Sequence, residues 1–477
     1  MLGYAERAQF GAKLKTTKNI FMAALALMTA ACSNDDYDFQ NPVQQPQNVE
    51  GITITAQLAP KTDGAATRAV SEGTDKIVAE WAVNEHIAIL YEVSDTKYVA
   101  DATITGVDGW GAATITFTVQ GTTPDNTACT LVYPYDAAKD DHSGVKDFAT
   151  LLAAQDGTLS ANLDVRVGAG TIQTTTPGLT VSTQPAAQFA IFNFTLSGTS
   201  IDATHPLVIK DGSENVVTTV TPASSATLVY AAMPTAASST YKFIVTTDDN
   251  KYIKSGTAAI TAGKYYQTTL EMSPRYPLDR GSATVDDIGS VITSEGTMYV
   301  NVAAASAANK TPIAVIAYMG SDNGESSPNN HGLALALNDA SNGCMWKTTE
   351  TDAGHTKQTD ITNANFDPEY GSQYIDNAHN SDEYPAFKAA INYSVTGDNI
   401  ERYWFLPTAY QWQQMINAAG GASNLANMAN LATDNGSYYW SSSEYSDVSA
   451  WRYTFYDRNW VFGNKTTSHL VRACFAF

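Results

Sequence analysis

Short apolar runs of period two, separated by Gly, Asp-Gly and Pro, recur from Gly51 to Leu270 and constrain this chain more than any single motif. Alternation at every second residue fits a half-buried strand, whereas a helix face repeats every three to four residues. One set comprises Ile52–Leu58, 87–91, Ala113–Val119 and 129–134; a second comprises 189–196, 227–230, 241–245 and 265–270. Almost no amphipathic helix interrupts them. The predicted fold is mainly β, with β-sandwiches over 51–180 and 181–274. The 477 residues exceed one compact core and leave room for a further domain.

Composition narrows the function classes. Charged residues are only 16% of the chain, the formal charge is −21 and the pI about 4.6, which argues against nucleic acid or anionic membrane as a general partner. Four cysteines are too few for a disulfide framework. No His-Glu-x-x-His, Walker loop, Gly-x-Ser-x-Gly or Cys-x-x-Cys pattern is present, and the charged clusters at 35–36, 139–142 and 382–383 lack ligand spacing. The chain is therefore read as non-enzymatic, with no cofactor and no metal. Cys129 reads as a small buried hydrophobe, and Cys344 with Cys474 is a candidate bridge.

Lys13, Lys15 and Lys18 precede an apolar run at 20–28, followed by Thr29-Ala30-Ala31-Cys32. A basic start, a short apolar run and a small-residue exit form a signal peptide over 1–32, too short to span a bilayer permanently. Ala-Ala-Cys resembles the lipobox of bacterial lipoproteins, which implies a lipid anchor on Cys32; Thr29 departs from the Leu usual there. The alternative is plain cleavage beside an incidental cysteine. Residues 33–50 form a polar tether, and its Asp35-Asp36 pair resembles a surface-export signal of Gram-negative lipoproteins. The expected location is the cell surface, on the outer membrane.

Thr67-Arg68-Ala69, Trp81 before Asn84-Glu85, and Gly263-Lys264-Tyr265-Tyr266 extend the pattern. With the lipobox and tether they resemble the fimbrillin family, the subunits of type V pili, over about 20–274. The resemblance implies transthyretin-like pilin sandwiches. It also implies that an arginine-specific protease cuts between Arg68 and Ala69, within a polar loop over 61–68, and removes the strand Ile52–Leu58. The groove so opened takes a donor strand from a neighbouring pilin subunit. Read without the resemblance, Arg68 is an ordinary loop arginine.

Beyond a linker at 275–309, which leads into the next domain, the composition changes. Five of eight tryptophans lie between Trp404 and Trp460, and the last 75 residues hold seventeen aromatic residues, so some are expected to face solvent or a ligand. Strands are predicted at 313–318, 331–338, 438–442, 450–455 and 470–477, and a helix at 407–419, giving an α+β domain over 310–477. Its phrases, His331-Gly332-Leu333-Ala334-Leu335, Tyr403-Trp404-Phe405-Leu406-Pro407, Tyr439-Trp440-Ser441-Ser442-Ser443-Glu444 and Val471-Arg472, resemble a C-type-lectin-like domain. More narrowly they resemble the variable proteins of diversity-generating retroelements, whose surface positions are rewritten by adenine-directed mutagenesis.

That resemblance implies a diversified ligand-binding surface. Candidate positions are Asp447, Val448, Ser449, Arg452, Thr454, Tyr456, Asp457, Arg458, Asn459, Phe462, Thr466, Thr467, Ser468 and His469, around a fixed scaffold of Ala450, Trp451, Phe455 and Lys465. Trp460 joins the binding set for its contact area, although adenine substitution of Asn codons cannot create Trp. An ordinary polar loop would have a similar composition. Arg452, Thr454 and Tyr456 alternate and are expected on one strand face. The mixture of Arg and aromatic residues suits a binding hot spot, and four basic residues against two acidic ones between Tyr445 and Arg472 favour an acidic ligand. Calcium-site phrases of carbohydrate-binding lectins are missing; Pro328-Asn329-Asn330 is the nearest echo.

Two functions follow as expectations. One is a tip adhesin of a type V pilus, binding a host or microbial surface protein or glycan; residues 470–477, used inside the domain, would not serve as a donor strand. The other is a lipid-anchored surface binding protein that keeps its first strand and never polymerises.

Overall fold

Ile54, Ala56 and Leu58 are buried while Thr53, Thr55 and Gln57 stay exposed, the pleat that alternation demands. In the computed structural model this run is β1 (Ile52–Leu58). The structure describes residues 51–61, 71–72, 77–78, 80–323, 329–353, 357, 380–395, 397 and 403–477. The signal peptide, Cys32, the tether, Arg68, Ala69 and Pro328 lie outside these residues.

The short strands β2 (Ser71–Glu72) and β3 (Ile77–Val78) pair with each other. Next come β4 (His86–Val93), β5 (Thr96–Val107), β6 (Ala113–Val119), β7 (Thr127–Tyr133), β8 (Arg166–Gln173) and β9 (Gly178–Ala187). With β1 they form one antiparallel sheet in the order β1-β6-β5-β4-β7-β8-β9. It curls until β1 nears β9, where the Ala59 amide donates to Gln184 Oε1 at 3.2 Å. The first unit is thus a single curled sheet around its core, and it runs to Ala187, past the boundary expected at 180. Gly168 and Gly170 allow β9 to pair there: a Cβ would sit 2.7 Å from Thr183 O at one and 2.9 Å from Thr180 O at the other.

β4 is buried on both faces. Ile87, Ile89 and Tyr91 face the sheet's own core, while Ala88 and Leu90 join Val132, Phe189, Ile191, Tyr230 and Ala232 in a second core shared with the next domain. That domain is a two-sheet sandwich. One sheet holds β10 (Phe189–Ser197), β13 (Leu228–Pro234) and β16 (Tyr265–Glu271), with β10 central. The other runs β12-β11-β14-β15-β17, from β11 (Leu207–Asp211), β12 (Val216–Val220), β14 (Ala236–Thr246), β15 (Lys251–Ile260) and β17 (Ser273–Pro274).

The segment read as a linker is built into the C-terminal domain instead. β18 (Leu278–Asp279), β19 (Val291–Thr293) and β20 (Thr297–Tyr299) join β21 (Pro312–Met319), β22 (Gly332–Ala336) and β28 (Cys474–Ala476) in a six-stranded sheet. Asp287 holds the junction: its carboxylate accepts from Arg275 Nε at 2.6 Å and from the Tyr276 hydroxyl at 2.6 Å. Burial raises its pKa, but these hydrogen bonds outweigh burial and keep it below the ordinary carboxylate value. On the sandwich side Lys242 pairs with Asp286 at 2.9 Å, and Lys251 donates to the Asp286 carbonyl.

A second sheet of this domain has the order β23-β27-β24-β25-β26, from β23 (Ser341–Met345), β24 (Tyr439–Glu444), β25 (Ser449–Thr454), β26 (Asn459–Asn464) and β27 (Ser468–Val471). The helix predicted at 407–419 spans Ala409–Ala418. Thr408 is its N-cap rather than a helical residue: its Oγ1 accepts from the Gln411 amide, and Gln411 Oε1 accepts from the Thr408 amide, each at 3.0 Å. Trp412 and Met415 from this helix are fully buried beside Trp346, Tyr439 and Trp440. The protein is mainly β, as expected. Among the described residues, no helix is long and apolar enough to cross a membrane.

Candidate functional site

The hairpin β25–β26 carries most of the predicted binding positions. Its register pairs Trp451 with Phe462, Arg452 with Val461, Tyr453 with Trp460 and Thr454 with Asn459. Because successive side chains alternate, Trp451, Tyr453, Trp460 and Phe462 share one face, and Arg452, Thr454 and Val461 share the other. The predicted set is therefore split between two faces and the turn.

The first face is largely structural. Tyr453 packs on Phe455, which meets Trp412, and Trp460 Nε1 donates to Gln413 Oε1 at 2.9 Å. Farther along, Phe462 is 52% exposed and stacks on Tyr445 at 4.3 Å between centroids, with Trp451 edge-on. Ala450, Trp451, Phe455 and Lys465, expected as fixed scaffold, are all buried. Of the seventeen C-terminal aromatic residues, Tyr403, Tyr456 and Phe462 are exposed.

Arg452 organises the second face. Its guanidinium lies over the Tyr438 ring at 3.9 Å and contacts His469 Nε2, while His469 packs against Trp440. Gly463, its diagonal neighbour on β26, makes room, since a Cβ there would come within 2.7 Å of Arg452 Nε. Arg452 has no carboxylate partner among the described residues, and its buried Nε has no acceptor there. Burial lowers the Arg452 pKa from its ordinary value. A half-buried, uncompensated guanidinium on an aromatic platform is suited to a carboxylate or another planar anion.

Three expectations need correction. Thr454 is 2% exposed, so it cannot be displayed. Tyr456 is exposed but sits in the turn after β25, off the face that carries Arg452. Cys344 and Cys474 lie in different sheets, one in β23 and one in β28, and no disulfide joins them. Asp457, Arg458, Asn459, Thr467 and Ser468 are exposed. Asp447 pairs with Lys357, Thr466 Oγ1 contacts Glu350 at 3.2 Å, and Ser449 lies opposite Asn464. Sequence reasoning missed Tyr438 and Gly463. Two aromatic-rich runs around the turn 455–458 were the available signal, because a hairpin register places Gly463 beside Arg452.

His469 gives this cluster a pH dependence. Burial, and then the Arg452 charge, push its pKa from 6.5 down to about 4. The unfolded chain therefore binds the extra proton first as pH falls, and stability is lost between pH 6.5 and about 4. The loss should reach about 2–3 kcal/mol at about 1.4 kcal/mol per pH decade. Urea unfolding at pH 7 and pH 4 measures it, and His469→Gln should remove that increment.

Below the hairpin, Lys465 and Glu444 form a fully buried ion pair. Lys465 Nζ also donates to Thr351 O at 3.1 Å and Asp447 O at 2.7 Å, so it ties the loops at these two residues to β24. Among the described residues, no group of His, Cys, Asp and Glu is arranged to hold a metal.

No protein-family model matches this chain, and no curated protein matches it either. Among solved structures it is similar to a fimbrial protein from Bacteroides ovatus, at 13% identity and a TM-score of 0.27, over 90% of this chain and 100% of that one. A proposed cell adhesion protein from the same organism matches at 13% identity and a TM-score of 0.27, over 47% of this chain and 96% of that one. Another, from Parabacteroides distasonis, matches at 8% identity and a TM-score of 0.23, over 47% and 91%. Likenesses this distant assign neither family nor function.

Proposed function

We propose that this protein is a cell-surface adhesin that binds an acidic surface ligand through its C-terminal lectin-like domain. The observation that carries this reading is Arg452, stacked on Tyr438 and lacking a carboxylate partner among the described residues, on the same hairpin as the exposed turn at Tyr456–Arg458. In the full reading the protein is exported as a lipoprotein on Cys32 and cut between Arg68 and Ala69. It then takes a donor strand in place of β1 as the tip subunit of a type V pilus. Diversification would act on the exposed positions Asp457, Arg458, Asn459, Phe462, Thr467 and Ser468. β28 is paired with β22 and buried in its own sheet, which is consistent with a subunit that does not lend this strand to a neighbour.

Binding of the full chain to a mucin-coated surface, rich in sugar carboxylates, tests the adhesin. Arg452→Gln should weaken it about tenfold or more, and Arg452→Lys should not restore it, because an ammonium lacks the planar fork. Ser255→Ala, at an exposed position of the adjoining sandwich, serves as the control. Equal binding by wild type and Arg452→Gln would sink the proposal.

A second reading, the anchored protein that keeps β1, is favoured by the burial of Lys61. This residue was expected in an accessible loop; its side chain is 1% exposed and pairs with Asp164 at 3.2 Å. Mass spectrometry of the N-terminus of surface-exposed protein separates the two. A start at Ala69 supports processing, and a lipidated Cys32 supports the permanent anchor.

A further inference from the structure

Lys61 follows the last core-facing residue of β1, Leu58, by three positions, and its side chain ends in a prepared enclosure. Nζ lies 4.2 Å from the centroid of Trp81 and 4.0 Å from that of Tyr133, whose rings meet edge to face at 5.3 Å and 89°. Asp164 supplies the carboxylate and is itself held by Arg166 Nε at 2.9 Å. Glu85 fixes the aromatic wall: its Oε1 accepts from the Tyr133 hydroxyl at 2.7 Å, and its Oε2 accepts from the Ala82 amide at 2.9 Å. Trp81 Nε1 donates to the Ala59 carbonyl at 3.0 Å, so the same wall also reads the backbone just beyond β1. Two aromatic faces and a carboxylate around one ammonium make a cation cage.

We infer that Trp81, Tyr133 and Asp164 form an ammonium-binding cage, filled here by Lys61, that selects the strand occupying the β1 position. The inference rests on the strand-replacement reading above. Cleavage between Arg68 and Ala69 followed by release of β1 carries Lys61 away with the strand. The cage then keeps the Asp164 carboxylate facing two aromatic rings without the ammonium that filled it, with Glu85 close by, and Trp81 loses its backbone acceptor. An incoming strand that supplies only apolar residues at the places of Ile54, Ala56 and Leu58 fills the groove but leaves the buried Asp164 carboxylate without its ammonium partner. The partner is therefore a strand with three alternating apolar residues and a lysine three positions beyond the last of them. A register slip by one residue would both expose the apolar set and withdraw the lysine, so the cage also fixes register.

The test nicks the full chain after Arg68 with an arginine-specific endoprotease. Excess synthetic peptide of residues 51–62 is then added, carrying either Lys or norleucine at the place of Lys61. Native mass spectrometry reads which peptide replaces the original strand. The lysine peptide should be retained about tenfold or more over the norleucine peptide. In Asp164→Asn that preference should shrink several-fold. The peptide comparison uses unaltered residues in the protein, so it stands even if Asp164→Asn folds poorly. Equal retention of the two peptides overturns the cage as a selector while strand replacement survives. Failure of both peptides to enter the nicked protein overturns strand replacement and this inference together.

Discussion

Lys465→Met should destabilise the C-terminal domain by about 3–5 kcal/mol, the cost of leaving one member of a buried ion pair without the other. Lys465 and Glu444 are both fully buried, and Glu444 Oε2 already lacks a hydrogen-bond partner among the described residues. Burial lowers the Lys465 pKa and Glu444 opposes that effect, so the two charges depend on one another. Removing the ammonium strands the carboxylate and releases the Thr351 and Asp447 carbonyls. Guanidinium unfolding of the full chain checks this, with Thr467→Ala and Asn459→Ala as comparators. Those exposed positions lie in the same stretch and should stay within about 0.5 kcal/mol of wild type. The double variant Lys465→Met with Glu444→Gln should recover part of the loss. A Lys465→Met protein as stable as the comparators would remove the basis for calling this residue scaffold.

Arg472→Met should cost a similar amount, about 3–5 kcal/mol, by a different route. The Arg472 side chain is 2% exposed. Its Nε donates to Asp339 at 2.8 Å, Nη1 to the carbonyls of Ala336 at 2.8 Å and Ala429 at 2.9 Å, and Nη2 to Asn430 O at 3.1 Å. Ala429 and Asn430 end the helix Ala422–Ala429, where unpaired carbonyls concentrate negative partial charge. One guanidinium thus ties β22, that helix and the strand leading to β28. Arg472→Lys should recover less than half of the loss, since an ammonium cannot reach all four acceptors from one position. Thermal unfolding resolves the difference, and full recovery by lysine would show that charge alone matters there.

What the sequence revealed and concealed has a common physical cause. β1, β4, β6, β7, β10 and β16 were readable because each carries its own alternation or apolar run, a property of neighbouring residues. β8 was not, because Gly168 and Gly170 break the apolar pattern, and their purpose is to admit the carbonyls of Thr180 and Thr183. β18, β19 and β20 hid in an apparent linker because strands of two or three residues carry no period, and the prolines at 274 and 277 look like punctuation. At the binding surface the composition was legible but the faces were not. Arg452 owes its setting to Tyr438, Gly463 and His469, which only the hairpin register and the neighbouring strands bring together. Lys61 looked like one more loop lysine, because nothing within a few residues of it announces Trp81, Tyr133 or Asp164.

The junction around Asp287 bears on how such a molecule would carry load. Arg275, Tyr276 and Asp287 close on one another at the entry to the C-terminal domain, while Lys242 and Lys251 grip Asp286 from the adjoining sandwich. A pull applied at the hairpin turn reaches the sandwich through several bonds in parallel, not along a slack strand. They would have to break together before the domain could swivel. A particle tethered at Tyr456–Arg458 would therefore feel a stiff lever rather than a leash, and drag on it would be passed to the base as torque.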